Sequence, residues 1–212
     1  MLRQDAYQKF RDCILSGDLK PGQFVTQKEL CDLFGVPLGP AREAIQRLEY
    51  ETLLKVYPKR GIQICDVSPR LIRNAFQFRC IIEKEGVRAY VNTASRDAIV
   101  ALRDRTVALL EHADKEGVTA AITQSHYVLN SDFHNALVDS LDNDLLLTAY
   151  HINEARIRLI RLGNRETGDQ IIPAQREHLR ILQACVERDA VQAVQLLEQH
   201  IMAAQRRALD GC

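Results

Sequence analysis

Residues Thr26 to Ile64 constrain the fold of this chain more than any other stretch, because they combine two short helical patterns, a turn and two β-prone runs. Thr26 and Glu29 form the Thr-x-x-Glu pattern of a capping box, which predicts a helix start. Apolar residues at helical spacing follow, and Gly35 can end the helix in a left-handed conformation. We therefore predict a short helix between Thr26 and Gly35.

A second short helix is predicted from Pro40 to Glu51, because proline suits the first helical turn, where its missing amide would be unpaired anyway. Its apolar residues repeat at spacings of four and three and give an inward face made of Ala41, Ile45 and Leu48. Arg42 and Gln46 lie on another face near the helix N-terminus, where side chains can reach base edges in a DNA major groove.

Two β-prone runs, LLKVYP and GIQICDV, come next and meet at Lys59, Arg60 and Gly61, which predicts a hairpin with a basic tip. The order helix, helix, basic hairpin is that of a winged helix-turn-helix. An amphipathic helix over residues 2–15 and a turn over 17–23 complete a compact module that ends near Asp66.

The overall charge of the chain gives little support to the interpretation that this module binds DNA. The chain has 28 basic and 28 acidic residues, and residues 1–68 have ten basic against nine acidic, so any DNA affinity must come from a local patch. Such a patch can form if the basic side chains cluster, and a dimer would double it; the candidates are Lys28, Arg42, Lys55, Lys59 and Arg60.

Cysteine usage and hydropathy point to the cytoplasm. The six cysteines form no CxxC pair, which is typical of reduced thiols in a cytoplasmic protein. The N-terminus is not a signal peptide, and no run is long enough to span a membrane.

Beyond a short linker at residues 66–69, almost no strand signal remains. We predict a mainly α fold with two domains: residues 1–67 as the winged helix-turn-helix with its small β-hairpin, and 68–212 as an all-α helical bundle. The predicted helices of the bundle span residues 69–91, 95–115, 118–140, 142–162, 173–187 and 189–209.

Three histidines of the predicted bundle, His134, His178 and His200, lie on the apolar faces of separate helices. An inward histidine is usually a satisfied core residue, but neutral imidazoles that converge from different helices are also a common way to hold a divalent transition metal. Periodicity alone leaves both interpretations open.

The first 66 residues resemble the DNA-binding domain of GntR-family bacterial transcription regulators. The resemblance lies in the SGxLKPG pattern, the REAI/RLE helix and the basic-glycine wing, in the family's order. It implies that Lys28, Arg42 and Gly61 match positions used at DNA. Relatives often have Ser-Arg-Thr before the recognition helix, whereas this chain has Pro37, Leu38 and Gly39, so a different operator sequence is expected.

Residues 70–209 resemble the FCD ligand-binding domain of the FadR subfamily of GntR regulators. The segment RCIIEKEGVRAYV fits the opening R-x-x-x-E helix with Arg79 and Glu83, NSDFHNAL fits the D-x-x-F-H motif, and the closing helix pair supplies His178 and His200. In metal-binding relatives an aspartate four residues before the first histidine joins the three histidines. Here that position is Asn130, a neutral and weaker ligand.

The resemblance therefore implies a divalent metal, Zn or Ni, held by His134, His178 and His200 with Asn130 or water, or a site that has lost its metal. An effector beside that metal would be a small organic acid. Arg79 and Arg156 are candidates to bind it by helix position. Arg79 can instead pair with Glu83, and Arg156 can instead pair with a residue near Glu154 or face water. His126 is a weaker candidate.

We expect a homodimeric transcription regulator, in the first instance a repressor, that reads a pseudo-palindromic operator and responds to the acid. One alternative is a metal-dependent enzyme that uses the three histidines, with Glu83 and Asp132 as its nearest candidate general bases. Another is a helical interaction protein whose histidines are core residues.

Overall fold

The structure is a computed structural model that describes residues 2–164 and 168–211. Among these residues the chain forms two compact units. One contains residues 2–75, 152–164 and 211, and the other contains residues 76–151 and 168–210.

The first unit is a winged helix-turn-helix. Its elements are α1 (Leu2–Ser16), β1 (Phe24–Val25), α2 (Gln27–Phe34), α3 (Leu38–Tyr50), β2 (Leu54–Tyr57) and β3 (Gly61–Ile64). The sheet is antiparallel with strand order β1-β3-β2. The predicted hairpin is therefore confirmed, whereas β1 was missed, because two residues carry no alternation by which a strand can be recognised.

Local chemistry sets the ends of the helix-turn-helix. Thr26 and Glu29 form both hydrogen bonds of the predicted capping box, and Gly35 ends α2 in the left-handed conformation. Helix α3 begins at Leu38 rather than Pro40, with Pro37 as its N-cap. The prediction was two residues late because the first turn accepts a proline at its third position as well as its first.

The core of the first unit includes a segment from far along the chain. Ala155 and Leu159 are buried in the same apolar cluster as Phe10, Leu48 and Ile64. Both belong to α7 (Asp144–Asn164), whose residues from 152 onward lie in this unit. Periodicity predicted that helix but not which core it joins.

The second unit is all-helical among its described residues. Besides the first part of α7, it contains most of α4 (Pro69–Thr93), together with α5 (Arg96–Glu116), α6 (Ala120–Asp139), α8 (Gly168–Val186) and α9 (Ala190–Asp210). Helix α8 begins five residues before its predicted start at Pro173, which lies inside it. Residues 165–167 of the predicted break lie outside the described residues. No described helix has the length and hydropathy needed to cross a membrane.

Helices α4 and α6 approach closely at Gly86. A Cβ built on Gly86 would lie 2.6 Å from the backbone oxygen of Leu137, which is too close for any side chain. Glycine here therefore sets the distance between the helix that carries Glu83 and the helix that carries His134.

We predict that Gly86→Ala destabilises the protein by about 1–3 kcal/mol, since α4 and α6 must separate to admit the methyl group. Alanine's better helix propensity, worth about 1 kcal/mol, offsets only part of this cost. Gly39→Ala is the control, because a Cβ at that helical glycine meets nothing within 4 Å. Urea denaturation of both variants tests the prediction, and equal stabilities would contradict it.

Candidate functional sites

The residues predicted to contact DNA lie on the helix-turn-helix and the wing. The side chains of Lys28 on α2, Arg42 and Gln46 on α3, and Lys59 and Arg60 at the wing tip are all exposed. Position 61 requires glycine for structural reasons. Its φ is 105°, and a Cβ there would lie 2.9 Å from the carbonyl oxygen of Val25 in the neighbouring strand.

Aromatic side chains support the basic wing, a feature that sequence reasoning missed. The rings of Phe24 and Tyr57 pack 5.8 Å apart across the sheet. The guanidinium of Arg60 lies 5.8 Å from the first ring and 6.0 Å from the second, and Lys55 Nζ lies 5.2 Å from the Tyr57 ring. These cation–π contacts hold the wing's positive charges in place while leaving Arg60 exposed.

The second unit brings together His134 of α6, His178 of α8 and His200 of α9, all of them buried. Each offers one ring nitrogen, and these atoms lie within 4.8 Å of one another. The Nε2 atoms of His178 and His200 are 3.1 Å apart. Sequence periodicity put each histidine on an inward face, and the structure adds that the three faces meet.

Two carboxylates orient the imidazole rings. Glu83 Oε2 lies 2.7 Å from His134 Nδ1, and Glu177 Oε2 lies 2.6 Å from His200 Nδ1. An ionised carboxylate accepts, so Nδ1 carries the proton in both rings and Nε2 is the nitrogen left for a metal. Of these two carboxylates the sequence singled out only Glu83, since nothing in the pattern links Glu177 to His200.

Glu83 is fully buried and is the centre of a polar network in the second unit. In addition to the contact with His134, its Oε1 accepts hydrogen bonds from Arg79 Nε at 2.7 Å and from Tyr150 Oη at 2.5 Å. Both oxygens are thus engaged by donors, and the contact through Oε2 lets Glu83 orient the His134 ring. The other nominated carboxylate, Asp132, pairs with Arg105 at 2.6 Å.

Burial disfavours the charged form of two of the three imidazoles, those of His178 and His200. The pKa of His178 is well below its ordinary value because of desolvation, with repulsion from His200 next in size. Desolvation also lowers the pKa of His200, although its hydrogen bond to Glu177 opposes the shift. Burial alone would raise the pKa of Glu177, but hydrogen bonds from His200 and Arg207 outweigh this and lower it. Neutral imidazoles are the form that binds metal.

The three-histidine group fits a divalent transition metal. Tetrahedral zinc with Zn–N distances of about 2.0–2.1 Å needs ligand nitrogens about 3.3 Å apart. The separation of 3.1 Å between His178 and His200 is already close to this value. Carboxylates that hydrogen-bond to the other ring nitrogen, as they do here at His134 and His200, are typical of metal-binding histidines.

The other predicted site residues are partly assembled around this group. Asn130 and His126 are buried on the His134 face of α6, one and two turns before that histidine, and Arg79 is buried against Glu83. His126 Nδ1 lies 2.8 Å from Gln175 Nε2, a partner on α8 that the sequence did not reveal.

Arg156 was predicted to bind the effector from its helix position. It belongs to the first unit, where its Nε donates to the carbonyl oxygen of Glu51 and to Thr52 Oγ1. Helical position predicted an inward side chain, but the segment of α7 that carries it packs in the winged-helix unit.

Comparison with known proteins agrees with both units. Residues 2–64 match the model of bacterial regulatory proteins of the gntR family, and residues 74–203 match the FCD domain. The chain is 26% identical over 198 residues to the HTH-type transcriptional regulator YdhC of Bacillus subtilis, covering 93% of this chain and 84% of the relative. It is 23% identical over 203 residues to the HTH-type transcriptional repressor RspR of Escherichia coli, covering 94% and 86%.

Solved structures share the fold. McbR/YncC of E. coli superposes with a TM-score of 0.76 at 18% identity, covering 99% of this chain and 98% of that one. The metal-free FCD domain of TM0439 gives a TM-score of 0.57 at 15% identity, covering 68% of this chain and 96% of that one.

The relatives are transcription regulators rather than enzymes, and the two matched models together span most of the chain. This protein therefore belongs to the GntR family of bacterial regulators, in its FCD-containing FadR subfamily, and is a DNA-binding transcriptional regulator with a ligand-binding C-terminal domain.

Proposed function

We propose that the protein is a homodimeric, metal-dependent sensor of a small organic acid that represses transcription until the acid binds. Residues 1–67 are the DNA-binding domain, supported by the end of α7, and residues 68–212 are the effector-binding and dimerisation domain. The observation that supports the sensing function is the buried group of three histidines, in which carboxylates contact His134 and His200.

In this proposal Arg42 and Gln46 read base edges in the major groove, and Lys28, Lys59 and Arg60 neutralise phosphates. All five side chains are exposed, and no side chain caps the N-terminus of α3. Gly61 shapes the wing. Because each module carries few positive charges, two modules on a pseudo-palindromic operator supply the affinity that one lacks.

The metal is Zn or Ni, since borderline cations prefer imidazole nitrogen. His134, His178 and His200 bind it, and Asn130 or water completes the shell. Once bound, the metal supplies a fixed positive charge that attracts an anionic ligand. Because histidine and asparagine are neutral ligands, none of them compensates this charge, and an acid's carboxylate can do so.

The acid binds beside the metal, near Arg79 and His126. Buried hydrogen-bonding atoms support a polar ligand here: among the described residues, Gln175 Oε1 and His178 Nδ1 have no hydrogen-bond partner. Buried polar atoms of this kind are uncommon, and a bound water, ion or polar ligand is one way to satisfy them. Arg79 contributes positive charge even while paired with Glu83, because its field reaches both His178 and His200.

Repression is proposed from RspR, which is named a transcriptional repressor and matches this chain along most of its length. A regulator that binds chromosomal DNA in bacteria acts in the cytoplasm. Binding of the acid shifts the population of dimers away from the half-site spacing that fits the operator.

We predict that protein purified without chelator retains about one metal per chain, and that His134→Ala or His200→Ala removes it. Elemental analysis and native mass spectrometry measure the retained metal. His112→Ala is the control, since His112 is exposed and pairs with Glu116. After treatment with chelator, added zinc should raise the Tm of the wild type and of His112→Ala, but not that of His134→Ala or His200→Ala. Equal zinc responses in all four proteins would exclude the three-histidine site and leave the histidines as core residues.

Asn130→Asp should tighten zinc binding, since it places a carboxylate one turn before His134. Isothermal titration with zinc measures the change in Kd. Unchanged affinity would show that residue 130 is outside the metal's shell.

Arg42→Ala should weaken binding to a duplex selected by the wild-type protein from a random pool by about 1–3 kcal/mol. Binding to unselected DNA should change much less, because a base contact contributes mainly to specificity. Arg103→Ala is the control on α5, where Arg103 pairs with Asp104. Equal losses on both duplexes would place Arg42 at a phosphate instead.

A further inference from the structure

Helix α7 supplies two arginines to the winged-helix unit, and each contacts the C-terminal end of another helix. Arg158 Nε donates to the carbonyl oxygen of Leu15 near the end of α1, at 2.8 Å. Arg156 Nε donates to the carbonyl oxygen of Glu51, the C-cap of α3, at 3.2 Å. The last carbonyls of a helix lack partners within it and carry partial negative charge, so a guanidinium is well suited to both places.

Arg156 also holds the residue that connects α3 to the wing. Its Nε lies 2.7 Å from Thr52 Oγ1. Thr52 has φ of 60°, a left-handed conformation that costs a β-branched residue about 1–2 kcal/mol. The chain leaves α3 at this residue and enters β2 at Leu54, so its backbone angles set the direction in which the wing departs.

The recognition helix and the wing are the two elements that the proposed DNA contacts occupy. Arg42 of α3 lies nine residues before Glu51, the C-cap that Arg156 contacts, which is about 14 Å along the helix axis at about 1.5 Å per residue. Arg156 thus acts at the C-terminal end of α3, whereas Arg42 lies near its N-terminus.

We propose that Arg156 is a positioning residue for DNA binding: by holding Glu51 and Thr52 it fixes the angle between α3 and the wing without touching DNA. This role does not depend on a bound metal or acid, so it stands or falls separately from the proposed sensing mechanism.

The test measures binding of full-length variants to the selected duplex by fluorescence anisotropy, over a series of salt concentrations. Arg156→Leu should weaken binding about tenfold, the scale of one charge-assisted hydrogen bond. The slope of log K against log salt should stay that of the wild type, because no phosphate contact is lost. Thr52→Val removes only the hydroxyl that Arg156 holds, and it should weaken binding several-fold even if Arg156→Leu folds poorly.

Two further variants separate positioning from general stability. Arg158→Leu removes the equivalent cap of α1, and it should lower Tm while leaving DNA affinity close to wild type. Thr52→Gly relieves the backbone strain at this position. In that background, Arg156→Leu should therefore reduce DNA affinity clearly less than tenfold, and a double-mutant cycle measures this coupling. The proposal is overturned if Arg156→Leu binds DNA as tightly as the wild type, or if its salt slope falls by about one. It is also overturned if Arg158→Leu and Arg156→Leu lower Tm equally and lose the same DNA affinity.

Discussion

The carboxylate of Glu83 is the interaction on which the second unit depends. A buried carboxylate is costly unless donors surround it, and Glu83 has three: Arg79, His134 and Tyr150. These donors come from α4, α6 and α7, so one carboxylate fixes the positions of three helices. It also fixes the tautomer of His134, and thereby ties the packing of the unit to the geometry of the histidine group.

The histidine group contains a buried polar atom that no described residue satisfies. Glu83 and Glu177 hold one nitrogen each on His134 and His200, while His178 has a buried Nδ1 without a hydrogen-bond partner among the described residues. Polar atoms left in this state cost stability, and a ligand that satisfies them returns it by mass action.

The sequence predicted what depends on local pattern. The capping box at Thr26, the stop at Gly35 and the inward faces of the three histidines all follow from neighbours three or four residues away. It did not predict pairs such as Glu177 with His200, or the placement of Arg156 against Thr52, 104 residues distant. Periodicity shows that a side chain faces inward, whereas the partner it meets depends on how helices distant in sequence pack.

The distribution of the winged-helix unit along the chain affects its synthesis. Its core needs Ala155 and Leu159, yet its first segment ends at residue 75. At about 5–20 residues per second, a ribosome needs roughly 4–15 seconds to synthesise the 76 residues between the two segments. During that interval the helix-turn-helix emerges with part of its apolar surface uncovered, and a nascent regulator cannot complete its DNA-binding unit until most of the ligand-binding helices have also been synthesised.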